Sequence, residues 1–183
     1  MTRRDDESSL DLDEIAGVEP SPEVKSRLLA SSGAGRFAAF AAPIATMFEV
    51  TIDRAHELLG LIERSASWQT KITGVAMIAF AGGPALAGAE CGFLRIAPGA
   101  TFPMHVHVGE ESAFVLTGRV CDVTHDRVLG PGDSWWLAAG TRHQLVGERA
   151  SDGAGGDDSD EPCICAVCAR DGIVFAARGA HQS

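Results

Sequence analysis

The 183 residues carry 45% hydrophobic side chains with 21 Gly and 8 Pro, enough for one well-buried domain and a modest extension but not for two large domains. With 25 acidic residues against 15 Lys and Arg, the net charge of -10 and the lack of any Lys/Arg cluster argue against direct binding of nucleic acid. Met1-Thr2-Arg3-Arg4 runs straight into Asp5, Asp6 and Glu7 without an apolar leader, and the five Cys are an odd number, so a cytoplasmic protein with reduced thiols is expected.

Residues 1–20 are mostly charged or small, without apolar periodicity, and predict a solvated acidic tail. Ser21-Pro22-Glu23 reads as a helix start: Ser21 caps it, Pro22 is preset for the first turn and Glu23 suits the positive end of the dipole. Gly33 stops that short helix, and the Gly33-Ala34-Gly35 that follows has no preceding strand, so it is a joint rather than a nucleotide-binding loop. From Thr51 onward Ile52, Ala55, Leu58, Leu59 and Ile62 form one apolar stripe, with Asp53, Arg54, Glu57 and Arg64 mostly off it, which predicts a second helix running towards Trp68. Its apolar face is expected to cover the following domain or a second subunit, a dedicated partner-binding helix being the alternative. Residues 21–70 are thus a helical extension.

From Gly74 the texture changes to short runs of Val, Ile, Phe, Trp and small residues punctuated by Gly and Pro. Strands are expected near 74–80, 86–97, 102–107, 111–122, 126–129, 133–138, 143–147, 163–169 and 172–177, about the number that closes a jelly-roll barrel. The fold class is therefore mainly β, with the barrel over residues 71–180. Ile72 to Ala89 has no charged residue, but Gly82-Gly83-Pro84 interrupts it, which fits two strands around a turn better than a membrane span. Ala150 to Glu161, rich in Gly and Asp, is expected to be a flexible surface loop without the ligand order of a calcium-binding loop.

Within Pro98 to Val120, alternation along a strand points His105 and His107 to one face and Val106 to the other. Gly109 lets the chain bend, which brings Glu111 at the start of the returning strand beside them, and a further turn, strand and turn from Gly132 deliver His143. Three neutral imidazoles and a carboxylate form an N/O donor set suited to zinc, iron, nickel, copper or manganese. Phe102, Met104, Phe114 and one of Trp135 and Trp136 are candidates for an apolar lining around that ion or for ordinary core. Cys163 and Cys165 share a face that Cys168 does not, so they read as small buried hydrophobes, with a thiol sensor or a second metal site as alternatives. His56, His125 and His181 lie outside the pattern and receive no role.

These segments resemble the paired motifs of the cupin superfamily. Gly99, His105, His107, Glu111 and Gly118 match the first motif at every spacing. In the second, Gly132, Gly140 and His143 match, whereas Ala138 replaces the usual Pro and Gly147 the usual Asn. The resemblance implies a double-stranded β-helix holding one divalent metal ion, most simply zinc, through His105, His107, Glu111 and His143. A finer likeness is to the cupin domain of ChrR-type zinc-dependent anti-sigma factors, through the HxHxxxE string, the Pro131-Gly132-Asp133 turn and the helical segment before the barrel. Those factors grip their sigma factor with an N-terminal zinc-binding HxxxCxxC helix, and residues 1–50 contain neither His nor Cys. The resemblance therefore implies a sensory or regulatory metal-binding domain, with a protein partner or small-molecule ligand, no membrane association and a homodimeric assembly. A small dioxygenase acting on diketones or flavonols, with Glu111 as its catalytic carboxylate, is the alternative.

Overall fold

The computed structural model describes residues 35–149 and 161–176. The expected acidic tail, the helix over Ser21–Gly33 and the stretch 150–160 lie outside the described residues.

Two helices precede the strands. Helix α1 spans Ala41–Phe48 and α2 spans Ile52–Ile62. The Thr51 side chain caps α2 by accepting from the Arg54 backbone N–H at 3.2 Å, and Asp53 lies in its first turn, where the helix dipole favours negative charge. Ala55, Leu58, Leu59 and Ile62 of the predicted stripe are buried, whereas Ile52 stays exposed. The helix ends at Ile62, and only a short 3-10 turn at Ser65–Ser67 separates it from Trp68. The sequence reading did not mark α1, whose run AAPIATMF has no polar face to reveal a period, although Ala41, Ile44, Ala45 and Phe48 are buried at helical spacing.

The strands are β1 (Gln69–Ile72), β2 (Val75–Phe80), β3 (Glu90–Ile96), β4 (Thr101–His107), β5 (Glu111–Thr117), β6 (Val120–Asp122), β7 (Arg127–Leu129), β8 (Ser134–Leu137), β9 (Arg142–Gly147), β10 (Cys163–Ala169) and β11 (Ile173–Phe175). They pair antiparallel into a six-stranded sheet ordered β1-β2-β3-β10-β5-β8 and a five-stranded sheet ordered β11-β4-β9-β6-β7. β3 begins later than expected because a 3-10 turn at Pro84–Leu86 follows the Gly82-Gly83-Pro84 break. The run expected as a single strand over 111–122 is divided between the two sheets. Gly118, at φ 65° and with no room for a Cβ against the Pro162 carbonyl, turns β5 out of one sheet so that β6 enters the other.

Alternation sorts the six-stranded sheet into two faces. Leu94, Ile96, Ala113, Val115, Cys163 and Cys165 point inward, where Phe102, Val120, Trp135 and Leu145 join them in the barrel core. Phe93, Leu116, Ile164, Ala166 and Cys168 point to the opposite face and pack against α1 and α2. Phe48 of α1 meets Phe80 and Phe93 edge-on, with ring centroids 4.8 and 6.1 Å apart. The helices therefore cover the barrel of their own chain, as the first of the sequence expectations had it.

Candidate metal centre

β4 carries His105 and His107, β5 opens with Glu111, and β9 carries His143, which lies directly opposite His105 in the β4–β9 register. All four side chains are buried, and one donor atom from each lies within 4.8 Å of the others. The turn between β4 and β5 needs Gly109 because a Cβ there would come within 2.4 Å of the Arg170 carbonyl oxygen. Without that close approach, Glu111 would not swing back beside His107.

Each imidazole is held by its Nδ1. His105 Nδ1 lies 2.8 Å from the Pro103 carbonyl, which can only accept, so the ring must donate there. His143 Nδ1 lies 3.2 Å from a carboxylate oxygen of Asp122. The Thr141 hydroxyl donates to the Ala138 carbonyl at 2.5 Å and is therefore an acceptor for His107 Nδ1 at 3.0 Å. With all three Nδ1 atoms protonated, the three Nε2 lone pairs face one another, and among the described residues none of these buried nitrogens has a hydrogen-bond partner.

Glu111 approaches His107 Nε2 at 3.4 Å and His143 Nε2 at 3.7 Å, distances that would be ion pairs only if the rings were protonated. Burial opposes that charge and pushes His107 and His143 down to about 4, and His105 is lowered for the same reason. Burial also raises the Glu111 carboxyl to about 7, partly offset by the Trp135 indole N–H donating at 3.3 Å. Three lone pairs turned together beside a buried carboxylate are a costly polar cluster for a protein interior, and a divalent cation bound there would relieve that cost. The cluster could hold a metal ion.

Behind His143 stands a carboxylate that the sequence reading passed over. Asp122 is completely buried and also accepts from the backbone N–H groups of Thr124 and His125, from His125 Nδ1 at 2.8 Å and from Arg127 at 3.1 Å. Burial works to raise its carboxyl, but the hydrogen bonds from His125 and His143, followed by that of Arg127, hold it below the ordinary 3.8. Its signal in the sequence was an acidic residue at an inward position of the Val120–Asp122 strand, closely followed by His125 and Arg127. His125, to which no role was given, is part of this support.

A bulge between Phe102 and His105 resets the alternation, so Phe102 faces inward with the histidines. Trp135 is buried beside Glu111 while Trp136 is 58% exposed, and Phe114 packs against Phe40 on the helical side. A cavity of about 790 Å³ has Met77, Leu94, Phe102, Trp135 and Leu145 in its wall together with His105, Glu111 and His143. Apart from Glu111, the charged residues along it are Lys71 and Glu90.

Residues 92–152 match the family described as the cupin domain. The match spans about one third of the chain. Among solved structures, this chain is similar to the complex of Rhodobacter sphaeroides SigE with the anti-sigma ChrR, at 21% identity over 86% of this chain and 72% of the other, with a TM-score of 0.51. It is also similar to an RmlC-like cupin protein of Ralstonia eutropha JMP134, at 21% identity over 60% of this chain and 66% of the other, with a TM-score of 0.47. An acetylacetone dioxygenase of Acinetobacter johnsonii aligns at 10% identity over 62% and 74% of the two chains, with a TM-score of 0.49. The chain spans less than two thirds of the RmlC-like protein and 60% of a second cupin-fold protein from the same organism. The family match and the likeness to the ChrR complex establish the cupin fold. No curated protein matches the sequence. Among the described residues, no helix is long and apolar enough to cross a membrane.

Proposed function

We propose that this cupin holds one divalent metal ion through His105, His107, Glu111 and His143 and acts as a sensory or regulatory domain, a small and largely apolar ligand reaching the ion through the cavity. The observation that carries the assignment is the set of three buried Nε2 atoms without partners, each ring keeping its lone pair inward because its Nδ1 is engaged elsewhere. Bound there, the ion supplies Lewis acidity to an oxygen-bearing ligand. Zinc suits this donor set, as do iron, nickel and manganese. The protein's own groups orient the site: Asp122, Thr141 and the Pro103 carbonyl fix the rings, Trp135 fixes Glu111, and the apolar wall excludes water.

The sheet between cavity and helices supports a regulatory role. Leu94, Val115 and Cys165 face the barrel interior while their neighbours Phe93, Leu116 and Ala166 face the helices, so one layer of backbone separates the two. A ligand that favours one position of that layer shifts α1 and α2, whose exposed residues Asp53, Arg54 and Glu57 are open to a protein partner or a second subunit.

A second reading, a dioxygenase of the diketone- or flavonol-cleaving type, is favoured by the cavity reaching three of the four donors, since catalysis requires substrate beside the ion. Glu111 is then the group that accepts a substrate proton.

Metal analysis of the purified full-length protein should find one ion per chain, falling sharply in His105→Ala and His143→Ala. Unchanged stoichiometry in folded variants would remove the assigned ligands. On the metal-loaded protein, oxygen uptake with small diketones selects the enzyme. Diketone binding without uptake, accompanied by slower hydrogen exchange in residues 41–62, selects the regulator.

A further inference from the structure

Cys91 on β3 and Cys168 on β10 are directly opposed in the register of the two strands. Their sulfurs lie 3.4 Å apart, within reach of an S–H···S hydrogen bond, and both residues are buried. Directly opposed residues of antiparallel strands have Cα atoms roughly 4.5–5.5 Å apart, inside the roughly 4.4–6.8 Å that a disulfide spans. The backbone is thus already placed for a covalent bond, and the side chains need only close from contact to bonding distance.

We propose that Cys91 and Cys168 are a redox-active pair that forms a reversible cross-strand disulfide, with a hydroperoxide as the oxidant. This assignment stands apart from the metal centre. The inward-facing Cys163 and Cys165 belong to the barrel core, whereas Cys91 and Cys168 lie in the cluster between the sheet and the helices. Cys91 is also among the residues that line the large cavity.

The surroundings assign the two sulfurs different roles. A hydrogen bond from Cys168 favours the Cys91 thiolate, burial opposes it, and the Gly82 backbone and the Arg170 guanidinium add to the favourable side, so that Cys91 is lowered to about 7. The Cys168 thiol is pushed up by its bond to Cys91 and by burial. Cys91 is the attacking sulfur: its thiolate displaces hydroxide from the peroxide and becomes a sulfenic acid. The Cys168 sulfur then attacks that of Cys91, the S–S bond forms, the S–O bond breaks, and the Cys168 proton leaves with the departing oxygen as water. Two thiols and one hydrogen peroxide become one disulfide and two waters. A thiol reductant reverses the step by exchange at the disulfide.

The test is peptide mapping of the reduced full-length protein after exposure to hydrogen peroxide, with free thiols alkylated and digestion carried out without reductant. The expected product is a Cys91–Cys168 linked peptide, two hydrogens lighter than its separate halves and lost on adding dithiothreitol, while Cys121, Cys163 and Cys165 remain alkylated. The linked peptide should disappear in Cys91→Ala and persist in Cys121→Ala. Cys91 and Cys168 that stay fully alkylatable at peroxide levels that oxidise a free thiol in the same tube would overturn the proposal. So would a bond between other cysteines, or Cys91 ending as a sulfinic acid with Cys168 free. If Cys91→Ala does not fold, mapping of the unaltered protein decides alone.

Discussion

Acidification of the metal-free protein tests the centre without presupposing which ion it takes. Burial, reinforced by the neighbouring His105, lowers His107 and His143 from 6.5 to about 4. With folded values below unfolded ones, the unfolded chain binds the extra protons between them, so the stability these rings contribute is present above 6.5 and is lost as pH falls to about 4. At roughly 1.4 kcal/mol per pH unit, each ring is worth about 3 kcal/mol across that window. His105 is lowered by burial too and acts in the same direction. Glu111 opposes them: burial raises it from 4.5 to about 7, so the folded state keeps a proton the unfolded chain has lost, and stability is gained as pH falls through that interval. That gain is also about 3 kcal/mol and offsets one ring. Asp122, held below 3.8, acts only at still lower pH. The expected net result is a loss of at least about 3 kcal/mol between neutral pH and about pH 4, a large share of the roughly 5–15 kcal/mol that stabilises a typical domain. Urea unfolding of the chelator-treated protein, followed by circular dichroism at several pH values, measures it, and His107→Gln should flatten the slope by one ring's share. A stability that is flat with pH, or that rises towards acid, refutes the picture of buried neutral imidazoles.

Replacing Asp122 with Asn should weaken metal binding by about 10–100-fold, because the His143 ring loses its charged anchor; competition with a chelator reads the change, and unaltered affinity would make Asp122 merely structural. Glu111→Gln should lower affinity while the barrel stays folded, since a neutral amide is the poorer ligand; equal affinity would exclude Glu111 from the ion. Phe48→Ala should cost about 3–5 kcal/mol in urea unfolding, because its ring is fully buried between α1 and the sheet, and a loss far smaller would mean that the helices dock only loosely. Thr51→Ala removes the cap of α2 and should cost about 1 kcal/mol in the same assay.

Much of this molecule follows from rules that act over a few residues. Strand alternation placed His105 and His107 on one face and separated Cys163 and Cys165 from Cys168; the helical stripe announced α2; and the spacing of the paired motifs singled out Glu111 and His143. Where those rules are interrupted, reading along the chain loses its hold. Strict alternation turns Phe102 away from the histidines, and only the bulge in the pairing of β4 with β9 brings it in. The apolar run of α1 has no period to read until the sheet gives it a buried side.

The sequence by itself determined which side chains share a face of a strand or helix, because that depends on backbone geometry between near neighbours. Tertiary structure alone decided which distant atoms meet: Asp122 behind His143, Cys91 against Cys168, and an apolar cavity beside three of the four donors. Those meetings depend on strand order, register and bulges, which are set by the closure of two sheets upon one core and are expressed in no single stretch of the chain.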